Sequence, residues 1–117
     1  MTNPQPFDPN EFLILAARLS QATAQAELRS AVSRAYYAAF LHAREVLGAS
    51  GEVVPTGTGR DHGLVLRALR ARGGGTANLL GRLRAQRGYV DYDLAVPIGQ
   101  IETQRLVRIA QRVYDRL

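Results

Sequence analysis

Arg87-Gly88-Tyr89-Val90-Asp91-Tyr92-Asp93 is a short polar and aromatic knot in a chain otherwise written largely in Ala, Leu, Val and Arg. Arg87 and Asp91 stand one helical turn apart, the spacing of an ion pair along a helix face. A guanidinium can fork onto a phosphate and stabilise charge on phosphorus. The neighbouring carboxylates and phenols offer hydrogen bonds to a ligand. Catalytic candidates are Arg87, Asp91 and Tyr92, with His62 as a second acid–base group at the predicted start of a helix, where the dipole favours neutral imidazole. Ligand-binding candidates are Arg60, Arg84, Arg87, Tyr89 and Asp93. Tyr92 is a poor base, since a phenol titrates near about 10. Asp91 is a poor base too, because Arg87 beside it favours the carboxylate.

The charge distribution points the same way. Net charge is +5 and all 15 basic residues are Arg. Between Arg60 and Arg87 seven arginines face one acid, Asp61, so that segment carries +6 and the rest of the chain −1. Such a segment suits phosphate binding, or else forms a solvated helical face. With no cysteine and only two histidines, no disulfide and no thiolate metal site is available, and neither metal nor cofactor is expected. No apolar run approaches the roughly 18 residues of a membrane span, and the polar, Pro-rich start does not read as a signal peptide. A cytoplasmic, membrane-free protein is the expectation.

These residues need a frame, and the hydrophobic spacing supplies helices. The 117 residues suit one domain: an extended lead-in over 1–9 marked by Pro4, Pro6 and Pro9, then a helical domain over 10–117. A first helix starts near Pro9 or Asn10 with Phe12, Leu15, Ala16 and Leu19 on one face. A second runs from about Ala26 to Ala49, where Leu28, Val32, Ala35, Ala39, Ala43 and Val46 recur at helical spacing. Its Tyr36, Tyr37 and Phe40 surround it with bulk, so it is either the central helix or the helix of a dimer contact. Gly48–Gly59 is a loop. Asp61 is expected to cap a third helix, and Thr76 a fourth, with Gly73-Gly74-Gly75 between them. Pro97 is expected in the first turn of a last helix, with Ile98, Ile101, Leu106, Ile109, Ala110, Val113 and Leu117 inward. The fold class is all-α, an up-and-down bundle of four to five helices.

Ser30-Ala31-Val32-Ser33-Arg34-Ala35-Tyr36-Tyr37-Ala38-Ala39-Phe40 resembles the second-helix signature of the HEPN superfamily (higher eukaryotes and prokaryotes nucleotide-binding), in its small prokaryotic branch. Asp61-His62-Gly63-Leu64-Val65 resembles that branch's His-x-x-Val entry to the third helix. Arg87-x-x-x-Asp91-Tyr92-Asp93 resembles its Arg-x-x-Ala-Asp-Tyr-Asp element, with Val90 in place of Ala. The resemblance implies a helical homodimer that binds RNA or a nucleotide. It also implies a setting in a toxin–antitoxin or defence module, in which a minimal nucleotidyltransferase encoded nearby is a possible partner. The family's ribonuclease motif sets four to six residues between the Arg and a His, which would put that His at position 92, 93 or 94. Tyr92, Asp93 and Leu94 stand there instead, and Leu94 also occupies the position of the modifiable tyrosine. The expectation is therefore an RNA- or nucleotide-binding protein with a degenerate ribonuclease motif. The alternatives are an active metal-independent ribonuclease using Arg87 with His62 or Asp91, and a non-catalytic helical interaction module.

Overall fold

The computed structural model describes residues 6–117; the expected lead-in over 1–9, Pro4 included, lies partly outside the described residues. Five helices follow one another: α1 (Asn10–Leu19), α2 (Gln25–Ala49), α3 (Arg60–Arg72), α4 (Thr76–Tyr92) and α5 (Gln100–Asp115). Among the described residues there is no strand, and no helix is long and apolar enough to cross a membrane.

The second helix is the central one, because α2 packs against all four others. Ala31, Ala35, Ala38, Ala39 and Ala43 are fully buried and let neighbouring backbones approach closely. Tyr36 and Phe40 are buried and Tyr37 half-buried, so this aromatic cluster is filled by the chain's own helices. Leu80 and Leu83 from α4, Val65 and Leu69 from α3, and Leu106, Ala110 and Val113 from α5 complete the core.

Five local expectations change. Asp61 does not cap α3, which begins at Arg60. It is fully buried and reaches back to the preceding loop, accepting bonds from the Thr56 amide (2.8 Å), the Thr56 hydroxyl (2.6 Å) and the Gly57 amide (3.1 Å). Thr76 is the first residue of α4, not its cap; Gly75 holds that position at φ 81°. Gly73 and Gly74 are also left-handed, so the α3–α4 turn needs three residues without a Cβ. Pro97 lies before α5, which starts at Gln100, because its approach is set by long-range bonds. Gln25 exchanges two bonds with the backbone of Ile98 (2.7 and 3.0 Å), which halts the chain one turn short of the helix. Ile101, on the outer face of α5, is 65% exposed rather than inward. On α1, Leu13 and Ala16 are the deeply buried residues, whereas Phe12, Leu15 and Leu19 are half-buried.

Candidate functional site

Arg87 stands on α4 facing α2. Its Nη1 donates to the Tyr37 hydroxyl at 3.2 Å and to Asp91 Oδ2 at 3.3 Å. Its guanidinium carbon lies 5.5 Å from the Tyr37 ring centre and 5.9 Å from that of Tyr36, within cation–π range. Its Nε is buried with no hydrogen-bond partner among the described residues. An orphaned buried donor costs about 1–3 kcal/mol, and such a cost persists most readily where a ligand offsets it.

His62 enters the same cluster from the first turn of α3. Its ring stacks on Phe40 at 4.2 Å and 13°, and its Nδ1 hydrogen-bonds the Tyr36 hydroxyl at 2.5 Å. Tyr36 therefore stands between the two groups, contacting His62 through its hydroxyl and Arg87 through its ring. The separation of 25 residues in sequence is closed by the packing of α3 and α4 on α2.

The electrostatics fix the protonation states. Burial pushes the Tyr36 phenol up to about 12, so it keeps its proton. Burial also pushes the His62 imidazole below its ordinary value of 6.5. Arg84, Arg87 and Arg44 add to that direction, against Asp61. His62 is thus neutral at pH 7 and carries one ring proton. The Tyr36 hydroxyl is almost wholly buried, and among the described residues His62 Nδ1 is its one partner. The phenol proton consequently goes to Nδ1, which leaves the imidazole proton on Nε2. In this tautomer His62 is a donor at Nε2, suited to an oxygen of an anion.

The heptapeptide from Arg87 to Asp93 divides. Arg87 and Asp91 turn toward α2. Tyr89 and Tyr92 are 61% and 76% exposed, and Tyr92 makes no hydrogen bond to Arg87. Asp93 ends α4, and its carboxylate accepts the Ala95 amide at 3.1 Å. Arg84 is exposed yet close enough to His62 and Tyr36 to act on both. Arg60, Arg67, Arg70 and Arg82 are exposed on α3 and α4, and with Arg84 they form no ion pair among the described residues. Arg72 is taken by Glu52 (2.6 Å), whose carboxyl that bond holds down at about 2.

Three residues have roles the sequence reading did not assign. Arg29 donates from Nη1 to the carbonyls of Val90 (3.0 Å) and Asp93 (2.8 Å) and from Nη2 to that of Val96 (2.7 Å). It thereby satisfies carbonyls that α4 leaves open at its end and holds the Arg87–Asp93 turn against α2. Arg44 lies 3.5 Å from Asp61 and 5.5 Å over Phe40. Arg34 lies over Phe12 and Tyr37. The carbonyls that Arg29 reaches, Asp61 beside Arg44 and Phe12 beside Arg34 are each at least 17 positions away in sequence, so helical spacing carries no signal for them; Tyr37 and Phe40 stand three and four residues from Arg34 and Arg44 on the same helix. No family model, no curated protein and no solved structure matches the chain.

Proposed function

We propose that the chain is a HEPN-like protein that binds RNA or a nucleotide as a homodimer, in a toxin–antitoxin or defence module, with a degenerate ribonuclease motif. The observation that carries this reading is the setting of Arg87. It is held by two tyrosines, keeps its buried Nε–H unoccupied, and stands beside unpaired Arg84 and a neutral His62 with Nε2–H as its donor. Guanidinium and imidazole N–H groups together suit a phosphate oxygen. The unpaired arginines of α3 and α4 supply sequence-independent attraction for a polyanion. Filter binding of RNA across a salt series tests it. The logarithm of the binding constant should fall linearly with the logarithm of salt concentration, and Arg87→Ala should weaken binding. No salt-sensitive affinity for RNA or any nucleotide would overturn the proposal.

The proximity of His62 to Arg87 favours a second reading, an active metal-independent ribonuclease. In that case His62 Nε2 must give up its proton and accept that of a ribose 2′-hydroxyl. The opposite tautomer leaves the buried Tyr36 proton without an acceptor, at a cost of about 1–3 kcal/mol, or roughly one to two powers of ten in rate. A weak ribonuclease is the consequence. Cleavage by purified protein, abolished by both Arg87→Ala and His62→Ala, is the expected outcome on this reading; cleavage indifferent to either excludes it.

A further inference from the structure

Arg34 has neither an ion-pair partner nor a hydrogen bond among the described residues. Its position is nevertheless fixed. The guanidinium lies 4.8 Å over the Phe12 ring and 5.6 Å over the Tyr37 ring, so aromatic faces on α1 and α2 hold its flat surface. The N–H groups at its edge are left unoccupied. Ser30 stands one helical turn from both Arg34 and Ser33, four residues before the first and three before the second on α2. Neither hydroxyl makes a hydrogen bond to another described residue.

All three side chains line one cleft of about 550 Å³ between α1, α2 and the end of α4. Arg29 lines it as well, with its donors engaged by backbone carbonyls and no carboxylate to neutralise it. Asp91 is the one carboxylate in the lining, and it is paired with Arg87. The cleft therefore holds two half-buried guanidinium charges with no counter-charge of their own.

We propose that this cleft is a phosphate site, in which Arg34 donates two parallel N–H bonds and Ser30 and Ser33 donate their hydroxyl protons. A tetrahedral anion presents its oxygens in three dimensions to three separate donor groups, whereas a carboxylate confines its acceptor sites to one plane. Tyr37 links the cleft to the Arg87 site, with Arg34 over its ring and Arg87 bonded to its hydroxyl. The site stands whether or not the chain binds RNA, because its donors are separate from Arg87. Its phosphate can be inorganic, the terminal group of a mononucleotide, or a link in an RNA backbone.

Titration calorimetry at fixed ionic strength separates these sources, using inorganic phosphate, a nucleoside 5′-monophosphate and a short single-stranded RNA without terminal phosphate, with acetate as the control anion. Arg34→Gln should weaken binding of at least one of the three by about tenfold or more, and Ser30→Ala with Ser33→Ala should weaken the same ligand to a lesser degree. Asp91→Asn should strengthen it, since a negative charge leaves the cleft wall. Arg34 also bridges α1 to α2, so a melt accompanies each variant; Ser30 is exposed, and Ser30→Ala alone supplies a variant that folds. Affinity for all three ligands unchanged in Arg34→Gln and in the serine variant overturns the site. Loss of RNA binding in Arg87→Ala with phosphate binding intact marks the two sites as separate.

Discussion

The chain's two histidines lie on opposite sides of α2 in settings that look alike. His62 stacks on Phe40 at 4.2 Å, and His42 stacks on Tyr114 at 3.8 Å and 10°. Burial lowers the basicity of both. Their charged neighbours differ. His42 faces Asp8, which accepts the Tyr114 hydroxyl at 3.5 Å and the Asn10 amide at 2.9 Å, so that this region binds the start of α1 to the end of α5. His62 faces Arg84, Arg87 and Arg44, with only Asp61 against them. One imidazole on an aromatic ring closes the fold upon itself. The other gathers three guanidinium groups, of which Arg84 is unpaired and Arg87 keeps a buried Nε–H open, which is the character expected of a binding site.

The strongest way to break this contrast is to remove Asp61. Its carboxylate is fully buried, accepts three bonds from the 50–59 loop and lies 3.5 Å from Arg44. Asp61→Ala leaves two amides and a hydroxyl without an acceptor and takes away the one acid near His62. The expected result is the largest loss of thermal stability among these substitutions, with a shift of the His62 imidazole resonances and little change at His42. Those bonds, led by the Thr56 hydroxyl, hold the Asp61 carboxyl below its ordinary 3.8. Its folded value being depressed, the stability it contributes is present above pH 3.8 and lost as pH falls through the folded value.

Arg87→Ala comes next in size. It removes the guanidinium that links Tyr36, Tyr37 and Asp91, and binding of single-stranded RNA should weaken about tenfold, with a salt dependence shallower by about one phosphate contact. His42→Ala, on the other side of α2, should leave RNA affinity unchanged. Equal loss in both variants would mean that binding follows overall stability and not the His62 side.

Much of this frame is legible in the sequence. The helices follow from apolar spacing, and bulk placed all round α2 marks it as either the central helix or the helix of a dimer contact, of which the structure shows the first. Arg87 with Asp91 follows from the i, i+4 rule, and the structure contains that pair. What is not legible depends on contacts between helices. Tyr36 reads as a core aromatic and is one, at 1% exposure, but its hydroxyl also fixes the tautomer of His62, 26 residues away. Asp61 reads as a helix cap because Asp before an apolar run fits that role. The loop ahead of it presents two amides and a hydroxyl, and the carboxylate turns to them instead. Tyr92 looks equivalent to Asp91 in a motif, yet one residue along a helix is a rotation of about 100°, enough to carry its ring out to solvent.

Tyr36→Phe sharpens the comparison with a smaller effect. The ring, its stacking and the core volume are retained, and only the bond to His62 Nδ1 is lost. A cost of about 1–2 kcal/mol is expected, the penalty for stranding a half-buried nitrogen acceptor. The more discriminating readout is the nitrogen spectrum of His62. In the wild type, Nδ1 should be the unprotonated nitrogen and Nε2 the protonated one. The variant should release that preference, because nothing else among the described residues bonds Nδ1. Cleavage activity, if present, should rise in Tyr36→Phe, since Nε2 is then free to serve as the base. A fall in activity would assign the phenol itself to the chemistry.

The smallest effect belongs to His42→Phe, which keeps an aromatic ring against Tyr114 while deleting the titration. Both histidines have folded values below 6.5, so each binds its proton more tightly in the unfolded chain. Stability must then rise with pH across the interval from the folded values up to about 6.5 and be lost again on acidification. At pH 8 both rings are neutral, and His42→Phe should alter stability by no more than about 0.5 kcal/mol. At pH 5 it should be the more stable protein, because it no longer carries the penalty of protonating a half-buried imidazole. The same exchange at His62 cannot be silent at pH 8: it removes the acceptor of the Tyr36 hydroxyl and leaves that proton buried. Two histidines matched in stacking and in direction of shift thus separate at alkaline pH, where only the one bonded to Tyr36 still has something to lose.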